Sequence, residues 1–187
     1  MHILVTNDDG VTAPGLLALA QGMRRYGEVS ILAPDHDWSG GGHVKTLRRP
    51  LRVRRVRLAD GNSALASDGA PSDCVALGIM GLLTDRVDLV VSGINPAANL
   101  GHDVTYSGTV TAVMESIIWG VPGVAVSLDG GDVDVLPRAH ELDVVHADDL
   151  ASFGVDELLV EKGVGEQQFV ARELAPGEVA AAILRAR

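Results

Sequence analysis

Met1-His-Ile-Leu-Val-Thr-Asn-Asp-Asp-Gly10 joins a short apolar run to a cluster of turn-forming residues. The apolar run, residues 3–5, is rich in β-branched side chains, which predicts a strand buried on both faces, as in a parallel sheet. Pro14 suits the first turn of a helix that follows. Asp8 and Asp9 therefore lie at the carboxyl end of the first strand, the edge at which open α/β sheets bind ligands.

Asp8 and Asp9 are adjacent, so their carboxylates repel each other when both are ionised. A divalent cation is the simplest compensating charge, and carboxylate oxygens are suitable ligands for one. The same Asp-Asp-Gly pattern is also ordinary turn chemistry, and on its own it favours a plain turn.

The length of 187 residues predicts one domain, residues 1–187, with a sizeable core. Cys74 is the only cysteine, which excludes an intrachain disulfide framework and suits a reducing compartment. We find no signal-peptide layout and no apolar run of the ~20 residues that a membrane helix needs. We therefore expect a soluble cytoplasmic protein without a membrane partner.

The formal net charge of -10 is unevenly distributed. Residues 129–187 hold 13 acidic and 5 basic side chains and form an acidic C-terminal segment, whereas residues 1–128 are nearly balanced. An acidic chain is a poor general nucleic-acid binder, so we expect no stable nucleic-acid partner. Seven basic residues between Lys45 and Arg57 form a local basic strip, which either faces phosphates or, as we favour, marks an edge strand that resists aggregation.

Apolar runs and turn signals predict the element order β-α-β…β-α-β-α-β, which indicates a doubly wound, mostly parallel α/β sheet with helices on both faces. We place strands over residues 3–5, 29–33, 51–58, 63–66, 87–92 and 121–128. Helices follow from Pro14 to Gly27, over residues 71–83 with Met80 on the inner face, and from Ser107 to Gly120. In the acidic segment we predict a strand over 141–146, short elements at 148–153 and 156–161, and a helix over 178–187.

Four segments come at or just beyond the carboxyl ends of predicted strands: residues 7–10, 34–43, 92–103 and 107–109. They contribute oxygen donors, namely the carboxylates of Asp8 and Asp9, the Ser39 hydroxyl and the Asn95 amide oxygen. Hard oxygen donors suit Mg²⁺ or Mn²⁺ rather than Zn²⁺. The turn Ser107-Gly-Thr109 would point backbone N–H groups and two hydroxyls at an anion. Together these features suggest a phosphate ester held between a metal and an anion cradle.

Each part of this site also has an ordinary structural explanation. Ser39 precedes three glycines and could lie in a loop without function, and Asn95 and Asn99 could be turn formers or caps. Ser107 could serve only as a helix N-cap, the commonest role of serine before a helix.

Several motifs in this order resemble the SurE (survival protein E) family, and their combination is far more specific than any one of them. They span residues 1–128 and comprise Asn7-Asp-Asp-Gly-Val11, Ala13-Pro-Gly15, Ala33-Pro-Asp35, Ser39-Gly40, Gly69-Ala-Pro-Ser-Asp-Cys-Val75, Asp88-Leu-Val-Val-Ser-Gly-Ile-Asn95, Asn99-Leu-Gly101, Asp103-Val-Thr-Tyr-Ser-Gly-Thr109, Gly120-Val-Pro122 and Ala125-Val-Ser127.

The resemblance implies a Rossmann-like fold and a metal-dependent phosphatase acting on nucleoside monophosphates at the 5′ or 3′ position, assembled as a homodimer or homotetramer. It implies one Mg²⁺ or Mn²⁺ per subunit, and catalysis by Asp8 and Asp9. The implied metal ligands are Asp8, Asp9, Ser39 and Asn95, and the implied phosphate contacts are Asn99, Ser107, Gly108 and Thr109.

The sequence departs from the family pattern at two places. Ala97 stands where the family has a glycine, two residues after Asn95, and the family's C-terminal pattern is not found after about Gly130. The alternative to an active enzyme is therefore a nucleotide- or metal-binding module of the same fold with impaired catalysis. An aspartyl-phosphate mechanism through Asp8 is disfavoured, because that class spaces its aspartates as Asp-x-Asp.

Overall fold

The computed structural model describes residues 1–129, 168–170 and 180–185, and the fold is reported for these residues. Eight strands are described: β1 His2–Thr6, β2 Glu28–Pro34, β3 Val53–Arg57, β4 Ser63–Ser67, β5 Leu89–Asn95, β6 Gly123–Asp129, β7 Gln168–Val170 and β8 Ala180–Arg185. The helices are α1 Pro14–Met23, α2 Pro71–Leu77 and α3 Gly108–Ile118, with a π-helical turn at Gly78–Leu82 and a 3₁₀ turn at Gly101–Thr105.

The described strands form one sheet in the order β3-β4-β2-β1-β5-β6-β8-β7. β1 is parallel to β2 on one side and to β5 on the other, so the strand order reverses at β1. Only β3 and β7, at the two ends of the described sheet, pair in antiparallel fashion. The predicted doubly wound, mostly parallel α/β architecture is confirmed.

β1 is buried along its whole length, as its apolar run predicts. On one face Ile3 and Val5 pack in a cluster that includes Leu16 of α1, and on the other Leu4 packs with Cys74 of α2 and Ala112 of α3. The sheet is thus covered on both faces, which explains why this strand has no polar alternation.

The second helix differs from the prediction. α2 ends at Leu77 and passes into the π-helical turn, in which Gly81 has φ +110°, a conformation that no α-helix contains. Met80, predicted to face inward, is 68% exposed because the turn rotates it away from the sheet. α1 also ends earlier than predicted, at Met23. Gly27 lies beyond it, where a Cβ atom would come 2.3 Å from the Met1 carbonyl oxygen.

The helix predicted over 178–187 is wrong: residues 180–185 form β8, parallel to β6. The run Ala-Ala-Ala-Ile-Leu-Arg has high helix propensity, and pairing along β6 overrides that local preference. The elements predicted at 141–146, 148–153 and 156–161 lie outside the described residues.

The basic strip is divided between loop and edge strand. β3 carries Arg54, Arg55 and Arg57 as exposed side chains at one end of the described sheet. Lys45 and Arg49, in the preceding segment, are ion-paired with Glu115 and Asp68. This placement favours the interpretation of the strip as a charged edge.

We expect Gly15→Ala to destabilise the fold, because a Cβ atom there would lie 2.2 Å from the Ile94 carbonyl oxygen of β5. Alanine in a helix is ordinarily about 1 kcal/mol better than glycine. Here overpacking should outweigh that gain and cost about 1–3 kcal/mol, measured by urea unfolding. Gln21→Ala on the same helix is the control, and a stabilised Gly15→Ala protein would contradict the close packing of α1 on β5.

Candidate metal and phosphate site

The candidate site lies at the carboxyl edge of the sheet, where the parallel strands β1, β2 and β5 end. Asp8 and Asp9 follow β1, and Asn95 ends the neighbouring β5, whose Ser92 is in register with Thr6. The Trp38 N–H donates to the Asp8 carbonyl oxygen at 2.8 Å, which brings the loop after β2 to the same edge. The reversal of strand order at β1 opens the crevice in which doubly wound proteins bind ligands.

Asp8 is almost completely buried, with 3% of its surface exposed. The Thr109 hydroxyl donates to Asp8 Oδ1, and a Cβ atom at Gly108 would lie only 2.6 Å from Asp8 Cβ. The first turn of α3 therefore rests directly on the Asp8 side chain. Only glycine permits this approach at position 108.

The two carboxylates have raised pKa values. Burial raises the pKa of Asp8, partly opposed by the Thr109 hydrogen bond. The pKa of Asp9 is raised to about 6, first by burial and then by the negative charges of Asp8 and Asp37. Holding both carboxylates ionised at neutral pH is thus unfavourable without a nearby positive charge, which fits a bound cation.

Ser39 is exposed and forms a local turn with Asp37. Its N–H and hydroxyl donate to Asp37 Oδ1 at 2.7 and 2.6 Å, and these hydrogen bonds hold the pKa of Asp37 below its usual range. Because the hydroxyl acts as the donor, its oxygen lone pairs remain available to a cation. Asp37 is a site residue that our sequence analysis missed; its position inside the segment 34–43 was the available signal.

Asn95 donates through Nδ2 to the Ala97 carbonyl oxygen, which leaves Oδ1, the atom a cation would take, without a hydrogen-bond donor among the described residues. Asn99 donates through Nδ2 to Ser127 Oγ at 2.8 Å, at the end of β6. Ala97 is exposed. Asp8 and Asp9 thus follow β1, Ser39 lies in the loop after β2, and Asn95 ends β5, all at the carboxyl ends of neighbouring strands.

Ser107 is the N-cap of α3, since its Oγ accepts from the Val110 N–H at 3.2 Å. The capping role left open by the sequence is therefore present. It does not compete with anion binding through the backbone, because the remaining first-turn N–H groups of a helix lack intrahelical acceptors. The Thr109 hydroxyl is engaged with Asp8, so in this structure Thr109 orients a carboxylate.

Two buried hydroxyls lie beneath the site without partners among the described residues. Thr6 Oγ1 and Ser92 Oγ have no hydrogen-bond partner there, although both residues are fully buried. They are register partners on β1 and β5, one residue before Asn7 and three residues before Asn95. Such unsatisfied groups are costly in an apolar core and mark an edge built for polar ligands.

Among the described residues, no group of three or more His, Cys, Asp or Glu side chains is arranged to hold a metal. The candidate donors are instead two carboxylates, a hydroxyl and an amide oxygen. This set fits Mg²⁺ or Mn²⁺, which prefer oxygen and retain water ligands, and does not fit zinc.

A model of the Survival protein SurE family matches residues 3–173. The chain belongs to the SurE family. It is 56% identical over 131 residues to the 5′-nucleotidase SurE of Herpetosiphon aurantiacus, covering 70% of this chain and 51% of that protein. It is 58% identical over 127 residues to the 5′-nucleotidase SurE of Chloroflexus aggregans, covering 68% and 50%.

A crystal structure of the SurE protein from Aquifex aeolicus superposes with a TM-score of 0.66 at 40% identity, covering 75% of this chain and 56% of that chain. This match confirms the Rossmann-like SurE fold. The chain spans about half the length of the curated SurE relatives that it matches. In the described part of the SurE chain, no helix is long and apolar enough to cross a membrane.

We expect the contribution of Asp9 to the stability of the metal-free protein to decrease as the pH rises from about 4 to about 6. In this window folded Asp9, with a pKa of about 6, keeps a proton that the unfolded chain, with the ordinary value of 3.8, has released. Asp9→Asn removes this pH dependence. The free energy of unfolding of the variant minus that of wild type should therefore be about 1–2 kcal/mol larger above pH 6 than at pH 4.

Urea unfolding with chelator at pH 4, 5, 6 and 7 measures this difference. Glu28→Gln, an exposed acid at the opposite edge of the sheet, is the control for loss of one charge. Parallel pH curves for wild type and Asp9→Asn would show that Asp9 has no raised pKa.

Proposed function

We propose that this SurE chain is a divalent-metal-dependent nucleoside monophosphate phosphatase, a 5′/3′-nucleotidase that releases nucleoside and phosphate. The observation that carries the proposal is the contact between the first turn of α3 and the buried carboxylate of Asp8. It puts a helix N-terminus, which attracts phosphate, beside the carboxylates, which attract a cation. The 5′-nucleotidase names of the curated relatives support the substrate class.

Asp8, Asp9, Ser39 and Asn95 would hold one Mg²⁺ or Mn²⁺ per subunit. When bound, such an ion neutralises negative charge at the phosphate and lowers the pKa of a water ligand, so that the water becomes a nucleophile near neutral pH. The raised pKa values of Asp8 and Asp9 support this assignment, because they show that the edge lacks positive charge of its own.

The protein residues then position the reactants. Thr109 holds Asp8 in one orientation, and Asp9, the less buried of the two carboxylates, orients the attacking water or takes its proton. Backbone N–H groups at Gly108 and Thr109, with Ser107 and Asn99 beside them, hold the phosphate oxygens as charge develops. The reaction needs no covalent enzyme intermediate.

A binding module that holds nucleotide and metal without turnover is the second candidate. It is favoured by one observation, Ala97 in place of the family's glycine two residues after Asn95. It predicts nucleotide binding without phosphate release.

The proposal further includes assembly as a homodimer or homotetramer. It also places the protein in the cytoplasm, a reducing compartment, which is consistent with the single cysteine, Cys74, being free and buried.

The deciding experiment is phosphate release from a panel of 5′- and 3′-nucleoside monophosphates, with Mn²⁺, with Mg²⁺ and with chelator. We expect metal-dependent release by wild type and a loss of at least about a hundredfold in Asp9→Asn, because the variant lacks the carboxylate proposed to hold the metal and orient the attacking water. Glu28→Gln should retain wild-type rates. Undiminished turnover of Asp9→Asn at saturating metal would refute the role of Asp9, and nucleotide binding without release would favour the binding module.

We expect Thr109→Val to lower kcat about tenfold, because it removes the hydroxyl that orients Asp8 while keeping the side-chain shape. Thr109→Ser keeps the hydroxyl and should retain most of the activity. Steady-state kinetics of the two variants measure the effect, at a temperature at which thermal unfolding shows both variants to be folded. Equal rates for the valine and serine variants would mean that the hydrogen bond to Asp8 does not contribute to turnover.

A further inference from the structure

Glu115 of α3 is a buried carboxylate that the proposed reaction does not use. Only 3% of its side chain is exposed, and three donors surround it: Lys45 Nζ at 2.6 Å, His43 Nε2 at 2.9 Å and Trp119 Nε1 at 2.7 Å. Burial alone would raise the pKa of Glu115, but these hydrogen bonds outweigh it and hold the pKa below its usual range. A buried charge persists only with such a complete set of partners.

Two of the donors belong to the 37–46 loop, which also carries the candidate metal ligand Ser39. His43 and Lys45 are four and six residues beyond Ser39, and the stretch between contains Gly40 and Gly42 at φ +75° and +60°. Glycines at positive φ give this stretch little stiffness of its own. The hydrogen bonds to Asp37 hold Ser39 within its local turn, and contacts of the loop with the rest of the molecule fix where that turn lies.

The contacts at both ends of the 37–46 loop are present. At its start the Trp38 N–H donates to the Asp8 carbonyl oxygen at 2.8 Å. Further along, Thr111 Oγ1 donates to the Gly42 carbonyl oxygen at 3.1 Å. At its end the Thr46 N–H donates to the Asp73 carboxylate at 3.1 Å. Glu115 differs from these partners because it binds two loop side chains at once through a buried charge.

The same helix reaches the metal site at its other end. Gly108 packs on Asp8, and Glu115 lies seven residues further along α3, about 10 Å at 1.5 Å per residue. A rigid helix thus fixes the loop relative to the carboxylates. Metal-ligating side chains that are oriented by interactions with surrounding residues bind metals more tightly, because their geometry is set before the ion binds.

We propose that Glu115 is a positioning residue that, through His43 and Lys45, holds the 37–46 loop so that Ser39 completes the metal site with Asp8 and Asp9. The inference rests on the metal site of the proposed function. It does not depend on which phosphate ester is the substrate or on turnover itself.

The test is the affinity of the full chain for Mn²⁺, followed as free Mn²⁺ by electron paramagnetic resonance during titration. We expect Glu115→Ala, Lys45→Met and His43→Ala each to weaken Mn²⁺ binding about tenfold. His43→Gln keeps a donor near the position of Nε2 and should recover most of the affinity. At saturating Mn²⁺ the variants should regain wild-type kcat for phosphate release, which a general folding defect would not allow.

Asp60→Asn is the matched control, since it breaks the ion pair with Arg24, 3.0 Å long, away from the loop. Its Mn²⁺ affinity should equal that of wild type. Lys45→Met and His43→Ala alter partly exposed loop side chains, so they keep the test decisive if Glu115→Ala does not fold. Unchanged Mn²⁺ affinity in these two variants would overturn the proposal, as would an equal loss in Asp60→Asn.

The two proposals fail in different ways. Phosphate release by wild type together with unchanged Mn²⁺ affinity in the loop variants overturns the role of Glu115 and leaves the nucleotidase intact. Mn²⁺ binding that weakens in the variants, in a wild type that releases no phosphate, supports the role of Glu115 and refutes the nucleotidase. A wild type that does not bind Mn²⁺ refutes both.

Discussion

The hydrogen bond from the Thr109 hydroxyl to Asp8 joins two residues 101 positions apart in the chain, and the candidate site depends on it. It forms only if β1 and α3 are packed on the same edge of the sheet, with glycine at position 108 to permit the approach. This hydrogen bond offsets part of the desolvation free energy that burial of the Asp8 carboxylate costs. The anion-attracting end of α3 and the cation-attracting end of β1 are thereby held in contact before any ligand binds.

The sheet topology makes that contact possible. β1 runs between β2 and β5, and its two faces are buried by different helices, α1 on one side and α2 and α3 on the other. The apolar core is tightly packed along β1 and β5, and the hydroxyls of Thr6 and Ser92, which have no partner among the described residues, lie between this core and the candidate site. Rigidity below this edge allows polar groups above it to keep fixed positions.

Much of this arrangement is predictable from local sequence, because the signals are local. Residues 3–5 predict a buried strand, Pro14 a helix start and Ser107 a cap, and all three are observed. The largest error concerns a partner distant in sequence. β8 was predicted as a helix because alanines favour one, and pairing with β6 decides otherwise. Glu115 was missed because only the folded chain brings it next to His43 and Lys45, whereas Asp37 was missed although its partner Ser39 lies two residues away.

The adjacent aspartates show how environment separates two identical side chains. Asp8 is almost fully buried and accepts from Thr109, so its orientation is fixed; Asp9 is less buried, and its carboxylate faces the charges of Asp8 and Asp37. The second aspartate is therefore the one whose protonation changes near pH 6, and the first is the one whose geometry is constant. In the proposed reaction both carboxylates would hold the cation, Asp8 in an orientation fixed by Thr109 and Asp9 from the less buried side next to Asp37, a division that follows from burial and neighbours and not from residue type.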